Sequence, residues 1–266
     1  MGIDYHVHSS ISPDGKSDMQ EICIAAVNKG ITDLAFTEHF EFYENSDHNR
    51  YFNEAYLEKY WENFQICKQV FEDKIQLKFG LEMGQPYLEP KKAAFIINRY
   101  PFDYILASVH KIHDIDLKQM NYADEITEEI GTLYYEEVLR MCYESDFDCI
   151  AHLDLYKRYA KLYGNYKENS RHRFLIEKIL QIIVERDKGI EINASGYKIA
   201  EEPLPGKEVI SYYWNYGGRK VTVGSDAHRS TDVGNHFARI QDLLSKVGVT
   251  YMTGYEKRNA VKIDII

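Results

Sequence analysis

Apolar and polar positions follow two rhythms that take turns along this chain. Short apolar runs fall at residues 3–8, 33–39, 76–83, 104–110, 148–154, 190–195 and 221–228, each the length of a strand. Between them apolar residues return every three or four positions, and Tyr56, Leu57, Tyr60, Trp61, Phe64 and Cys67 are the clearest such series. Helices are therefore predicted from Ser17 to near Gly30, after Asn53, and over 91–98, 125–144, 171–187, 207–216 and 234–247. Ser17-x-x-Gln20 reads as a capping box. The β-rich tail, 249–266, reads as a closing hairpin. Seven strand–helix units in one uninterrupted chain predict parallel strands with right-handed crossovers. A doubly wound sheet and a closed barrel both satisfy that rhythm. No G-x-G-x-x-G follows a strand and no G-x-x-x-x-G-K-[ST] occurs, so nothing supports a nucleotide-cradling sheet.

Composition excludes several classes. The chain has 266 residues, 44% apolar, with only 16 Gly and 6 Pro, which is neither collagen-like nor low in complexity. Its 22 Tyr, 12 Phe and 2 Trp are too many for a disordered acidic chain. A net charge of −10, with no basic stripe, argues against nucleic acid as a partner, because such binding leans on Lys and Arg. A small phosphorylated substrate held through metal ions stays open. No apolar run approaches the ~18 residues needed to span a bilayer, so no membrane partner is expected. The N-terminal MGIDYHVHSS fits neither a secretory signal nor the myristoylation pattern. Cys23, Cys67, Cys142 and Cys149 form no C-x-x-C pair and read as buried free thiols in a reducing cytoplasm.

The side chains at the strand ends separate the two topologies. His6 and His8 end the first strand, His39 the second, Glu82 the third, His110 the fourth, His152 the fifth, and Asp226 with His228 the seventh. Active sites of α/β barrels gather at this C-terminal rim. Residues i and i+2 of a strand share a face, so His6 with His8, and Asp226 with His228, can converge on one centre. Imidazole and carboxylate are ligands for Zn, Mn and Fe. One such pair alone is usually incidental, but six of the ten histidines sit at these ends. His48, His113, His172 and His236 have no such placement and are expected at the solvent-exposed surface.

The segments D-Y-H-V-H-S (4–9), F-T-E-H (36–39), G-L-E-M-G (80–84), S-V-H (108–110), A-H-L-D (151–154) and G-S-D-A-H (224–228) resemble, in order, the motifs of the polymerase-and-histidinol-phosphatase (PHP) superfamily. The likeness spans residues 4 to 228. It implies a single catalytic domain over 1–266, folded as a distorted (β/α)7, TIM-like barrel holding three divalent transition-metal ions. With no polymerase attached, H-L-D-L-Y-K-R after the fifth strand and E-I-N-A-S-G at the sixth look most like the stand-alone histidinol-phosphate phosphatases.

Position by position, the resemblance places His6, His8, Glu82 and Asp226 on one metal. Glu82 would bridge to a second held also by His110 and His152, and Asp14, His39 and His228 would take the third. Asp14 lies in S-P-D-G-K, which also reads as an ordinary turn. Glu38 should point to the opposite strand face as a structural residue. Phosphate monoesters resist hydrolysis, with enzymatic accelerations up to ~10²¹-fold. The family chemistry meets this with a hydroxide held between metals. Arg158 is the candidate cation for phosphoryl oxygens, and Asn193, Ser195 and Lys198 are candidates for substrate contact. Asp226 or His228 could move the proton to the leaving alcohol. The implied reaction is L-histidinol phosphate to L-histidinol and phosphate, in histidine biosynthesis. A nucleotide-directed PHP phosphoesterase would share every ligand, and an inactive metal-stabilised scaffold is the competing reading from another class.

Overall fold

In the computed structural model, which describes residues 2–45, 47, 51–167 and 169–264, the two rhythms become eleven strands and eight α-helices. The strands are β1 (Ile3–Val7), β2 (Asp33–Glu41), β3 (Gln76–Gly84), β4 (Tyr104–Ser108), β5 (Lys111–Ile112), β6 (Ile115–Asp116), β7 (Cys149–Ile150), β8 (Gly189–Asn193), β9 (Val221–Gly224), β10 (Tyr251–Glu256) and β11 (Asn259–Asp264). The helices are α1 (Met19–Asn28), α2 (Glu54–Val70), α3 (Pro90–Arg99), α4 (Asp124–Glu144), α5 (Tyr156–Leu162), α6 (Ser170–Glu185), α7 (Lys207–Asn215) and α8 (Phe237–Val247).

Seven strands pair in the order β1-β2-β3-β4-β7-β8-β9, every neighbour parallel. The last strand returns to the first: Val7 bridges Ala227, the His8 N–H donates to the Ala227 carbonyl at 2.8 Å, and Asp226 N–H donates to the His6 carbonyl at 2.9 Å. The sheet thus nearly closes into the expected barrel. Strands β1, β4, β8 and β9 are buried along their whole length, as parallel strands covered by helices must be.

The tail forms the expected antiparallel hairpin, β10–β11, and it seals the N-terminal end of the barrel. Tyr255 stacks on Tyr104 with ring centroids 4.9 Å apart and donates its N–H to the Tyr5 hydroxyl. Arg258 clamps Asp146 and Asp148, just ahead of β7. With that end plugged, the C-terminal rim is the one left open.

Three expectations about the elements change. The α1 cap is Asp18, whose side chain accepts from Glu21 N–H while Glu21 reaches back, one residue beyond the predicted box. Ser17 instead meets Ser230. The fifth and seventh strands are shorter than predicted, because His152 (φ 25°) and Asp226 (φ 54°) turn the backbone out of the sheet. His172 is not exposed: it is buried, bonded to the Tyr156 hydroxyl and the Glu128 carbonyl, and burial lowers its pKa. His236 is half-buried beside Tyr197, His113 is exposed as expected, and His48 lies outside the described residues. All four cysteines are buried and free. Among the described residues no helix is long and apolar enough to cross a membrane.

Candidate metal centre

Strand pleating delivers the first ligands. His6 and His8 leave β1 on one face, both fully buried, and their Nε2 atoms stand 2.8 Å apart. The β2–β3 ladder sets His39 beside Glu82. Glu82 is the hub. Its Oε2 lies 2.9 Å from His39 Nδ1, 3.3 Å from His6 Nε2 and 3.4 Å from His8 Nε2. Its Oε1 lies 3.0 Å from His152 Nε2 and 3.2 Å from His110 Nε2. Asp226 approaches from the far side, with Oδ1 3.7 and 3.8 Å from the Nε2 atoms of His6 and His8. Asp14, half out in solvent, spans His39 Nε2 at 3.5 Å and His228 Nε2 at 3.1 Å.

All nine residues expected as ligands therefore meet at one rim. Four overlapping groups have ligand atoms within 4.8 Å of one another: His6, His8 and Glu82; Glu82, His110 and His152; His8, His39 and His228; and His39, Glu41 and His110.

The electrostatics test whether this donor set fits metal ions. Burial works against the charged form of Glu82, yet the surrounding imidazoles of His6, His110 and His39 hold its carboxyl well below its usual pKa. Burial also opposes protonation of His6, but Glu191, Glu82 and Asp226 push it well above. His8 goes the other way, driven well below by burial and by neighbouring His39 and His228. Protons alone cannot satisfy the cluster: six imidazoles crowd three carboxylates, and two ring nitrogens 2.8 Å apart cannot both carry one. Glu82 Oε2 and His39 Nδ1 are buried without an aligned hydrogen bond, and so is His152 Nδ1. Neutral imidazoles and anionic carboxylates with unused lone pairs are what a divalent transition metal takes. The residues fit.

Two carboxylates and a lysine missing from the sequence reading stand behind this shell. Glu191 of β8 accepts from His6 Nδ1 at 2.7 Å and from the His152 N–H at 2.9 Å. Glu41 lies 2.7 Å from His110 Nδ1 and pairs with the buried Lys111. Such partners fix which ring nitrogen faces inward. The available signal was period two: Glu41 follows His39 by two residues, and Glu191 precedes Asn193 by two. Glu38 is structural as expected, accepting from the backbone and hydroxyls of Ser9 and Ser12.

A cleft of about 680 Å³ opens onto the cluster, lined among others by Tyr43, Lys111, Asp116, Arg158 and Tyr159. Arg158 Nη2 lies 3.2 Å from Asp226 Oδ2 and also bonds Ser195. Ser195 donates to Asp226 Oδ2 at 3.0 Å. Asn193 is fully buried behind the cluster, donating to Glu191, and does not line the cleft. Lys198 turns to Asp232 at 2.9 Å, also outside the cleft lining.

A parallel α/β barrel with imidazoles and carboxylates converging at its C-terminal rim defines a metal-dependent barrel enzyme. The PHP domain family matches residues 4–195, and the chain belongs to that family. It is 33% identical over 94% of both chains to a probable histidinol-phosphatase of Thermotoga maritima. It is 27% identical to the histidinol-phosphatase of Lactococcus lactis, over 98% of this chain and 96% of that one. The crystal structure of histidinol phosphate phosphatase from Lactococcus lactis, complexed with zinc, L-histidinol and phosphate, matches with a TM-score of 0.85 at 25% identity. That match covers 98% of this chain and 99% of the other.

Proposed function

We propose that this chain hydrolyses L-histidinol phosphate to L-histidinol and phosphate, the phosphatase step of histidine biosynthesis, as one catalytic unit over 1–266. The observation that carries the reading is the meeting of nine ligand-type side chains at an open cleft, with the imidazoles of His6, His8, His39, His110 and His152 within 3.4 Å of Glu82. The whole-chain likeness to an enzyme complexed with zinc, L-histidinol and phosphate supports it. His6, His8, Glu82 and Asp226 would hold one ion, Glu82, His110 and His152 a second, and Asp14, His39 and His228 a third, with Zn, Mn or Fe suiting the donors. When bound, such ions activate water and neutralise phosphoryl charge.

The chain's own groups do the rest. Arg158, half-buried beside Asp226, keeps its guanidinium charged and presents it to the phosphoryl oxygens. Ser195, buried and outside the cleft lining, holds that arginine in place. Asn193 braces Glu191, and through it His6. Asp226 or His228 is the group through which the leaving alkoxide would gain its proton. Four buried free thiols fit a reducing cytoplasm.

Phosphate release measured across L-histidinol phosphate, nucleoside phosphates and oligonucleotides tests the reading. L-Histidinol phosphate should give a kcat/KM at least about tenfold above any nucleotide, the step set by ~1.4 kcal/mol of differential binding. An equal or better value on a nucleoside phosphate would overturn the substrate and leave the phosphoesterase class standing.

A further inference from the structure

The outer wall of the cleft is built by two excursions from the barrel. One leaves β2 through Phe42 and Tyr43; the other is the β5–β6 hairpin with the short 3-10 turn Leu117–Gln119, directly after His110. The two are joined at their tips. Asp114, at φ 60°, accepts from the N–H groups of Glu44 at 2.7 Å and Asn45 at 2.8 Å. The hairpin register sets Asp116 opposite Lys111, and both line the cleft. Their charges differ in fate. Lys111 is buried, pairs with Glu41 and lies 4.4 Å over the Tyr43 ring. Asp116 is exposed, and one oxygen caps the 3-10 turn by accepting from the Lys118 N–H at 2.7 Å. Among the described residues it has no ion-pair partner.

The cleft is therefore bipolar. Its floor, with Arg158 and the metal-ligand cluster, takes an anion. Its wall carries Lys118 and the unpaired carboxylate of Asp116, which acts electrostatically on two tyrosines that also line it, Tyr43 and Tyr159. Both phenols have raised pKa values, chiefly from burial, and Asp116 adds to both. A carboxylate near aromatic faces suits an organic cation carrying a flat ring. We propose that Asp116 is the specificity-determining residue that reads the positive charge on the alcohol half of the phosphomonoester, with Tyr43 and Tyr159 as the faces for its ring. This rests on the histidinol-phosphatase reading above.

Asp116→Asn keeps the shape and the capping oxygen and removes only the charge. In the metal-loaded enzyme, KM for L-histidinol phosphate should rise about tenfold or more, the scale of one charge-assisted hydrogen bond, with the loss falling on KM rather than kcat. The ratio of inhibition constants for L-histidinol over inorganic phosphate should rise in step, and Asp116→Glu should recover part of both. A variant whose KM and inhibition ratio stay within about twofold of wild type overturns the assignment of Asp116. Wild-type enzyme that ignores L-histidinol phosphate instead sinks the functional reading on which the assignment rests.

Discussion

The two sides of the rim deliver their side chains in opposite ways. On the β1–β3 side, His6, His39 and Glu82 sit within strands of five, nine and nine residues, and the ladder register alone sets His39 next to Glu82. On the β7–β9 side the strands stop early, at Ile150 and Gly224, and His152 and Asp226 project from turned, positive-φ backbone. A pleated strand positions a side chain through bonds it would make anyway. A left-handed turn on a residue with a Cβ costs about 1–2 kcal/mol and must be held by distant partners. Here those are Glu191, which accepts the His152 N–H, and the His6 carbonyl, which accepts the Asp226 N–H. The strand side thus serves as a template on which the turn side is set.

The largest test removes the group both sides share. Glu82→Gln should lower kcat roughly 10²-fold or more, by analogy with loss of one key electrostatic group, and reduce the metal found by elemental analysis. His172→Ala and Lys198→Ala, both directed away from the cleft, should keep their metal content. Full metal content with more than about a third of wild-type kcat in Glu82→Gln would end the idea of a shared carboxylate.

A middle-sized effect should distinguish the two kinds of backbone. Asn tolerates the left-handed region, so metal-free Asp226→Asn should be about 1 kcal/mol more stable to urea than Asp226→Ala. The same pair at His39, on extended backbone, should show no preference for Asn. Ala equal to Asn at 226 would mean the turn carries no strain.

The smallest effect is in pH, where His110, just past β4, and His152, on the turned side, should differ in sign. His110 resists burial's push because Glu41 and Glu82 raise its pKa to about 9. Its contribution to stability is fully present below the ordinary ~6.5 and is lost as pH rises through about 9. His152 is lowered by burial, so its contribution is lost as pH falls below ~6.5. In metal-free protein, His110→Asn should flatten the alkaline limb of Tm against pH and His152→Asn the acid limb. Glu41→Gln should move the alkaline limb down. Unchanged limbs in all three variants would refute the assignment.

The chain's period-two and period-3.6 patterns determine its strand–helix order, the closing hairpin and the rim placement of six histidines, because each depends only on neighbours within a few residues. Spacing also made Glu82 conspicuous, a lone acid at a strand end. Tertiary structure alone decided the rest. It brought Glu191 to His6 across 185 residues and Glu41 to His110 across 69. It buried His172, turned Lys198 to Asp232, and ended two strands early to aim His152 and Asp226 inward. Those outcomes depend on which distant group meets an exposed N–H or an unpaired charge once the barrel closes, and local periodicity carries no record of that partner.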